Sequence, residues 1–433
     1  MNELVKKLNE DLIKNNPNIF HLLSDLGKKL YYPKGILSQG AEASKKATRF
    51  NATIGIATEN KVPMHFTHIQ ETLEGYAPED VYPYAPPSGK MELREEWKRK
   101  LLRDNPSLVG KGFGIPITTN ALTHGLSIAA DLFVNENDSI ILPDKYWGNY
   151  QFIFHVRRGG HLKTFELFDE NDKFNVSGFK ERLLEQKDTG KAIVLLNFPN
   201  NPTGYTPHEE EVKGIISVLM EAAEAGINIA VILDDAYFGL FYEDSVKESL
   251  FGKLAGLHPK IFPIKIDGAT KENYVWGLRV GFVTYASESP VVLDALEQKT
   301  KGLIRGTISS SSHLSQTIIF QSLQSSEFVR EKEEKFAVME QRAKKVKEIL
   351  NNEKYQEFWT YYPFNSGYFM CLKLKKVNAE KLRVHLLDNY GVGTIAINST
   401  DLRIAFSCVE EQHLEELFEI IYDETKNIAL SMG

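Results

Sequence analysis

Ala192-Ile193-Val194-Leu195-Leu196-Asn197 is an apolar run, and the turn-forming segment Phe198-Pro199-Asn200-Asn201-Pro202-Thr203-Gly204 follows it directly. An apolar run this short suits a strand buried on both faces of a sheet. Beyond the turn, residues 208–224 carry a helical pattern, and residues 228–233 form a second apolar run. Strand, turn, helix and strand in this order predict a parallel sheet covered on both faces. Working outward, strand-like runs at 115–119, 139–142, 262–266 and 279–285 alternate with helical patterns such as 123–133 and 290–301. After a long helix over 327–351 the pattern changes to strand 367–374, helix 379–389, strand 402–407 and helix 410–428, which reads as a smaller α+β domain. At the other end, residues 1–30 read as one amphipathic helix with apolar Leu4, Val5, Leu8, Leu12 and Ile13. A loop-rich stretch over 31–87 follows it.

The chain has 433 residues, of which 42 % are hydrophobic and 25 % charged, so it can bury a large core and is too apolar for disorder. A net charge of -7 offers no global basic field for nucleic acid or an anionic membrane. Cys371 and Cys408 are the only cysteines, which excludes a disulfide framework or a Cys-rich zinc site and suits a reducing compartment. No apolar leader or spanning run is present, so the expectation is a soluble, cytoplasmic protein. Neither His-Glu-x-x-His nor Gly-x4-Gly-Lys-Ser/Thr occurs, and no metal ligands are expected.

Ligands of open α/β sheets bind beyond the carboxyl ends of the strands. Asn201-Pro202-Thr203-Gly204 follows the first run, Asp234-Asp235-Ala236-Tyr237 the second, and Asp267-Gly268-Ala269-Thr270-Lys271 the run at 262–266, with Arg279 eight residues after Lys271. Singly, these are a turn, a helix cap and a solvated lysine. Together and in this order they resemble the class I/II aminotransferases, the aspartate aminotransferase superfamily within the fold type I pyridoxal 5′-phosphate (PLP) enzymes. The resemblance runs from about residue 50 to residue 410.

The resemblance implies a large domain, residues 66–318, with a mostly parallel seven-stranded sheet between helices. It implies a small domain made of residues 1–65 and 319–433. Lys271 matches the lysine that forms a Schiff base with the cofactor, Asp234 the carboxylate beside the pyridine nitrogen, and Tyr237 and Asn201 the donors to the ring's 3-oxygen. Asn201–Pro202 is expected to be cis. The phosphate would lie on the backbone of Ala121, Leu122 and Thr123 at a helix start, with Thr270 and Arg279. Ala121 stands where the family usually has glycine, and Gly268 where a phosphate-binding serine is common. Trp147 matches the aromatic that stacks on the ring.

Tyr84, in Tyr84-x4-Gly89-x3-Leu93-Arg94, resembles a tyrosine that reaches the partner's phosphate, implying a homodimer with shared sites. Arg403 matches the ligand of the substrate α-carboxylate, with Gly55 near it. Arg305 resembles, in spacing, an arginine that binds a distal carboxylate across the interface; an ordinary solvated arginine is the alternative. Tyr31, Tyr32, Tyr146 and Phe369 could instead line a pocket for aromatic substrates. The implied activity is transfer of an amino group from an L-amino acid to a 2-oxo acid. A PLP-dependent C–S or related lyase on the same scaffold is the alternative, because the cofactor supplies the chemistry of both. A PLP-binding regulator is disfavoured, since no helix-turn-helix precedes the enzyme-like region.

Overall fold

The computed structural model describes residues 3–15, 17–30 and 36–431. The N-terminal segment is three helices, not one: α1 (Glu3–Asn15), α2 (Pro17–Leu22) and α3 (Asp25–Lys29). Pro17 lacks the N–H that would continue α1 and instead starts α2. Ser24 then caps α3, accepting from the Gly27 N–H at 3.0 Å. The stretch expected to be loop-rich contains a further helix, α4 (Ile36–Lys46). Gln39 pins α4 by donating to the Ala396 carbonyl at 3.0 Å and accepting from its N–H at 2.9 Å. Helix α5 (Met91–Asp104) precedes the main sheet.

That sheet contains β1 (Ile117–Asn120), β2 (Ser139–Pro143), β3 (His161–Phe165), β4 (Lys191–Asn197), β5 (Asn228–Asp234), β6 (Ile261–Gly268) and β7 (Val280–Tyr285). Its seven strands run in the order β1-β7-β6-β5-β4-β2-β3. All pairs are parallel except those of β7, which is antiparallel to β1 and β6. Strand β3 escapes the sequence pattern because it is a sheet edge, with exposed, polar His161 and Lys163 alternating with half-buried Leu162 and Thr164. The register pairs Asn197 with Asp234, and Asp234 with Ile266, so three central strands end at one level. Their ends form the floor of the site.

Helices α6 (Ala121–Phe133) and α7 (Glu209–Glu224) follow β1 and β4. A single turn, α8 (Ala269–Glu272), carries Lys271 off the end of β6. Helix α9 (Pro290–Thr307) runs two turns further than its sequence pattern and holds Arg305 in its last turn. Helix α10 (Phe328–Leu350) leads to a second, antiparallel sheet made of β8 (Trp359–Tyr361), β9 (Phe369–Leu374), β10 (Ile395–Ala396) and β11 (Asp401–Ala405). Its order is β8-β9-β11-β10. Helix α11 (Ala379–Tyr390) packs on it, and α12 (Glu411–Ser431) packs against α10 and α11. No helix among the described residues is long and apolar enough to cross a membrane.

Candidate active site

A cavity of about 360 Å³ opens between the ends of β4, β5 and β6, the start of α6, and the wall formed by α4, residues 53–55 and the second sheet. It brings together Ala121, Leu122, Thr123, Trp147, Asn201, Asp234, Tyr237, Thr270, Lys271, Arg279, Arg403 and Gly55. These belong to segments as far apart as residues 55 and 403. Tyr84 and Arg305 are not among the lining residues; Tyr84 is 93 % exposed. The guanidinium of Arg305 donates to the Ser309 hydroxyl. Of the alternative aromatic set, Phe369 lines the cavity and Tyr146 does not, while Tyr31 and Tyr32 lie outside the described residues.

Lys271 is half-buried at the cavity edge, its Nζ 5.0 Å from the centre of the Tyr237 ring. Burial pushes its amine down to about 8; the nearby Asp234 carboxylate opposes this and Arg279 adds to it. The Tyr368 hydroxyl donates to the Lys271 carbonyl at 3.0 Å and steadies the turn. Asp234 is buried, which raises its carboxyl pKa, while hydrogen bonds hold the charged form. The Tyr150 hydroxyl donates to its Oδ2 at 2.6 Å, and the Ala236 N–H to its Oδ1 at 3.2 Å.

Tyr150 and Asn197 are polar parts of the site that motif reading did not assign. Asn197 donates through Nδ2 to the Asp234 carbonyl at 2.7 Å and accepts from the Asn201 N–H at 2.8 Å. It therefore locks two adjacent strand ends together. The only available signal was position: Asn197 ends an apolar strand, where an amide is out of place unless it is paired.

The turn after β4 departs from expectation. Among the described residues the cis peptide bond is Phe198–Pro199, so Asn201–Pro202 is trans. Asn200 closes that turn: its Oδ1 accepts from the Thr203 N–H and hydroxyl at 3.1 and 2.7 Å, and its carbonyl accepts from Gly204 at 2.8 Å. Asn201 then presents its side-chain oxygen to Arg403 Nη1 at 3.0 Å.

Ala121 opens α6 with a φ of 62°, a left-handed conformation that disfavours a side chain. This is the position where the family usually has glycine. The first N–H groups of α6 have no partners within the helix, and Ala121, Leu122 and Thr123 line the cavity. Gly281 permits the approach, since a Cβ there would lie 2.6 Å from the Ala121 carbonyl carbon. Gly268 is equally constrained: a Cβ would stand 2.6 Å from the Val280 carbonyl oxygen. The serine hydroxyl common there in the family has no room here.

Arg403 is 2 % exposed. Its Nη2 donates to the Thr53 carbonyl at 2.8 Å, its plane lies over the Phe369 ring at 4.2 Å, and its Nε has no partner. The Arg279 guanidinium donates to the Trp276 carbonyl at 3.2 Å. Among the described residues neither guanidinium has a carboxylate partner. The cavity thus presents Lys271, Arg279 and Arg403 against one acidic side chain, Asp234. It is built for a ligand carrying more than one negative group, and a phosphate at α6 and Arg279 with a carboxylate at Arg403 fits that deficit.

The family model for aminotransferase class I and II matches residues 66–421. The chain belongs to this family. Its members use pyridoxal 5′-phosphate, whose phosphate and ring fit the donors above. A probable aspartate/prephenate aminotransferase of Aquifex aeolicus is 28 % identical over 219 residues, 50 % of this chain and 52 % of the relative. A probable aspartate aminotransferase of Methanocaldococcus jannaschii is 27 % identical, covering 54 % of this chain and 57 % of its own. The chain thus spans about half the length of the curated relatives it matches. A crystal structure of an aminotransferase from Anaerococcus prevotii superposes with a TM-score of 0.82 at 24 % identity, covering 93 % of this chain and 99 % of that one. The fold is that of the fold type I PLP enzymes.

Proposed function

We propose that this chain is a PLP-dependent aminotransferase that moves an amino group from an L-amino acid to a 2-oxo acid. The observation that carries the reading is a cavity short of negative charge whose lining lysine, Lys271, has its amine lowered to about 8 by desolvation. Bound PLP supplies an electron sink for the pair left when a Cα–H bond breaks. The protein's part is binding, orientation and proton movement.

The α6 N-terminus, Thr270 and Arg279 would hold the phosphate, with Trp147 against the ring. Asp234 would keep a proton on the pyridine nitrogen, its carboxylate form supported by Tyr150 and Ala236. Tyr237 and Asn201 would donate to the ring oxygen. Arg403 would hold the substrate carboxylate near Gly55 and so orient the Cα–H bond. Lys271 Nζ, neutral in part near pH 8, would be the group that accepts and returns that proton.

We further take 66–318 as the large domain, with 1–65 and 319–433 as the small one. A homodimer is also part of this reading. Tyr82 and Tyr84 are 81 % and 93 % exposed, and a second copy would cover them. Free Cys371 and Cys408 suit a cytoplasmic setting.

The test is the absorbance of the holoprotein before and after amino acids are added without any oxo acid. Bleaching of the yellow form, with recovery on adding an oxo acid, is the expected result. Persistent colour with release of ammonia would instead make the protein a lyase. Lys271→Ala should bind the cofactor without a borohydride-trappable link and show no turnover; retained turnover would remove Lys271 from the reaction.

A further inference from the structure

Resting on the aminotransferase reading, we propose that the amino donor carries a large uncharged side chain, received by a recess that Gly40, Ser44 and Ile54 line beside Arg403. This wall comes from α4 and the segment after it, and no sequence motif singled it out. Gly40 and Ser44 are one helical turn apart and both face the cavity. A Cβ on Gly40 would come no nearer than 3.9 Å to the Thr53 hydroxyl, so the recess begins where that side chain is missing. The Thr53 carbonyl accepts from Arg403, which sets the recess at the carboxylate end of the cavity, away from α6.

The polar atoms of this wall are already used. Ser44 donates its hydroxyl to the Gly40 carbonyl at 2.9 Å, and Thr53 donates its own to Asn51 Oδ1 at 2.5 Å. Ile54 lines the same wall with 39 % of its surface exposed, an apolar group without an apolar cover. The Phe369 ring lies behind it under Arg403.

Charge points the same way. Among the described residues the cations lining the cavity are Lys271, Arg279 and Arg403, and the reaction engages all three. A second substrate carboxylate would find no further cation of this chain at that wall, while an alkyl or aryl group would gain contact with Ile54 and Phe369. Arg305 does not serve from within this chain, because it lies outside the cavity with its guanidinium on Ser309.

The experiment uses the holoenzyme and compares kcat/KM for leucine, phenylalanine, alanine, aspartate and glutamate. It adds the dissociation constants of two unreactive acids, 3-phenylpropanoate and succinate. Leucine or phenylalanine should exceed both acidic donors by at least roughly tenfold, about the effect of one uncompensated charged group. 3-Phenylpropanoate should bind more tightly than succinate. Gly40→Leu would fill the recess; leucine is the better helix former, so α4 should persist. The phenylalanine-to-alanine ratio should then fall by about tenfold, mostly through KM.

Preference for aspartate or glutamate, with succinate the tighter ligand, would overturn the proposal and show that a cation from outside this chain completes the site. An unchanged ratio in Gly40→Leu would overturn the placement of the recess. If none of the donors bleaches the holoenzyme, the aminotransferase reading itself fails, and that outcome is distinct from either of the others.

Discussion

Arg403→Lys keeps a positive charge at the carboxylate end of the cavity but removes the planar fork. In the native protein Nη1 and Nη2 are anchored by Asn201 Oδ1 and the Thr53 carbonyl at 3.0 and 2.8 Å, so the guanidinium is held in one orientation before substrate arrives. A carboxylate docked on that fork takes two charge-assisted hydrogen bonds, each worth about 1.5–3 kcal/mol. Lysine can restore one of them. The expected loss is about 2 kcal/mol, or roughly 30-fold in kcat/KM. Arg403→Ala loses both and leaves the Asn201 and Thr53 oxygens without their donor, so about 4 kcal/mol, near a thousandfold, is expected.

The assay compares an amino acid with the matched alkylamine that lacks the carboxylate, and measures the cofactor dissociation constant in parallel. The loss should fall on the amino acid, with the alkylamine little affected and cofactor binding retained. Equal losses for both donors would refute the carboxylate role and leave Arg403 as a structural support of the turn at Asn201.

Two further predictions concern the cofactor end. Because burial lowers the Lys271 amine from its ordinary 10.5 to about 8, the neutral, reactive form dominates above that pH and falls about tenfold per unit below it. Covalent uptake of cofactor by the apoprotein, trapped with borohydride, should therefore rise between about pH 6.5 and 8 and then level off; a flat profile would contradict the lowered amine. Gly268→Ser restores the residue common in the family, yet its Cβ would stand 2.6 Å from the Val280 carbonyl oxygen and 2.7 Å from Gly281 Cα. It should destabilise the fold by about 1–3 kcal/mol in denaturant titration. An unchanged midpoint with tighter cofactor binding would show that the strands yield there.

The sequence by itself determined the alternation of buried strands and helices, and with it the main sheet. The parallel strands read there, β3 excepted, are apolar runs bounded by turns, and that signal is local. The order of the words at strand ends was legible for the same reason: Asn201, Asp234, Lys271 and Arg279 each lie within a few residues of a recognisable strand. Edge strand β3 and helix α4 were not legible, since one alternates polar residues at the sheet margin and the other carries a glycine in its middle. Only the tertiary structure decided what needs residues far apart in the chain to meet. It supplied Tyr150 as the donor to Asp234, 84 positions away, and Arg403 as the partner of Asn201, 202 positions away. It moved the cis bond to Phe198–Pro199, and it left Gly268 too crowded by β7 for a side chain. The wall of Gly40, Ser44 and Ile54 depends on α4 being held in place by contacts such as those of Gln39 with β10 and Glu42 with Arg383. Such pairings follow from three-dimensional packing, whose partners no spacing along one chain records.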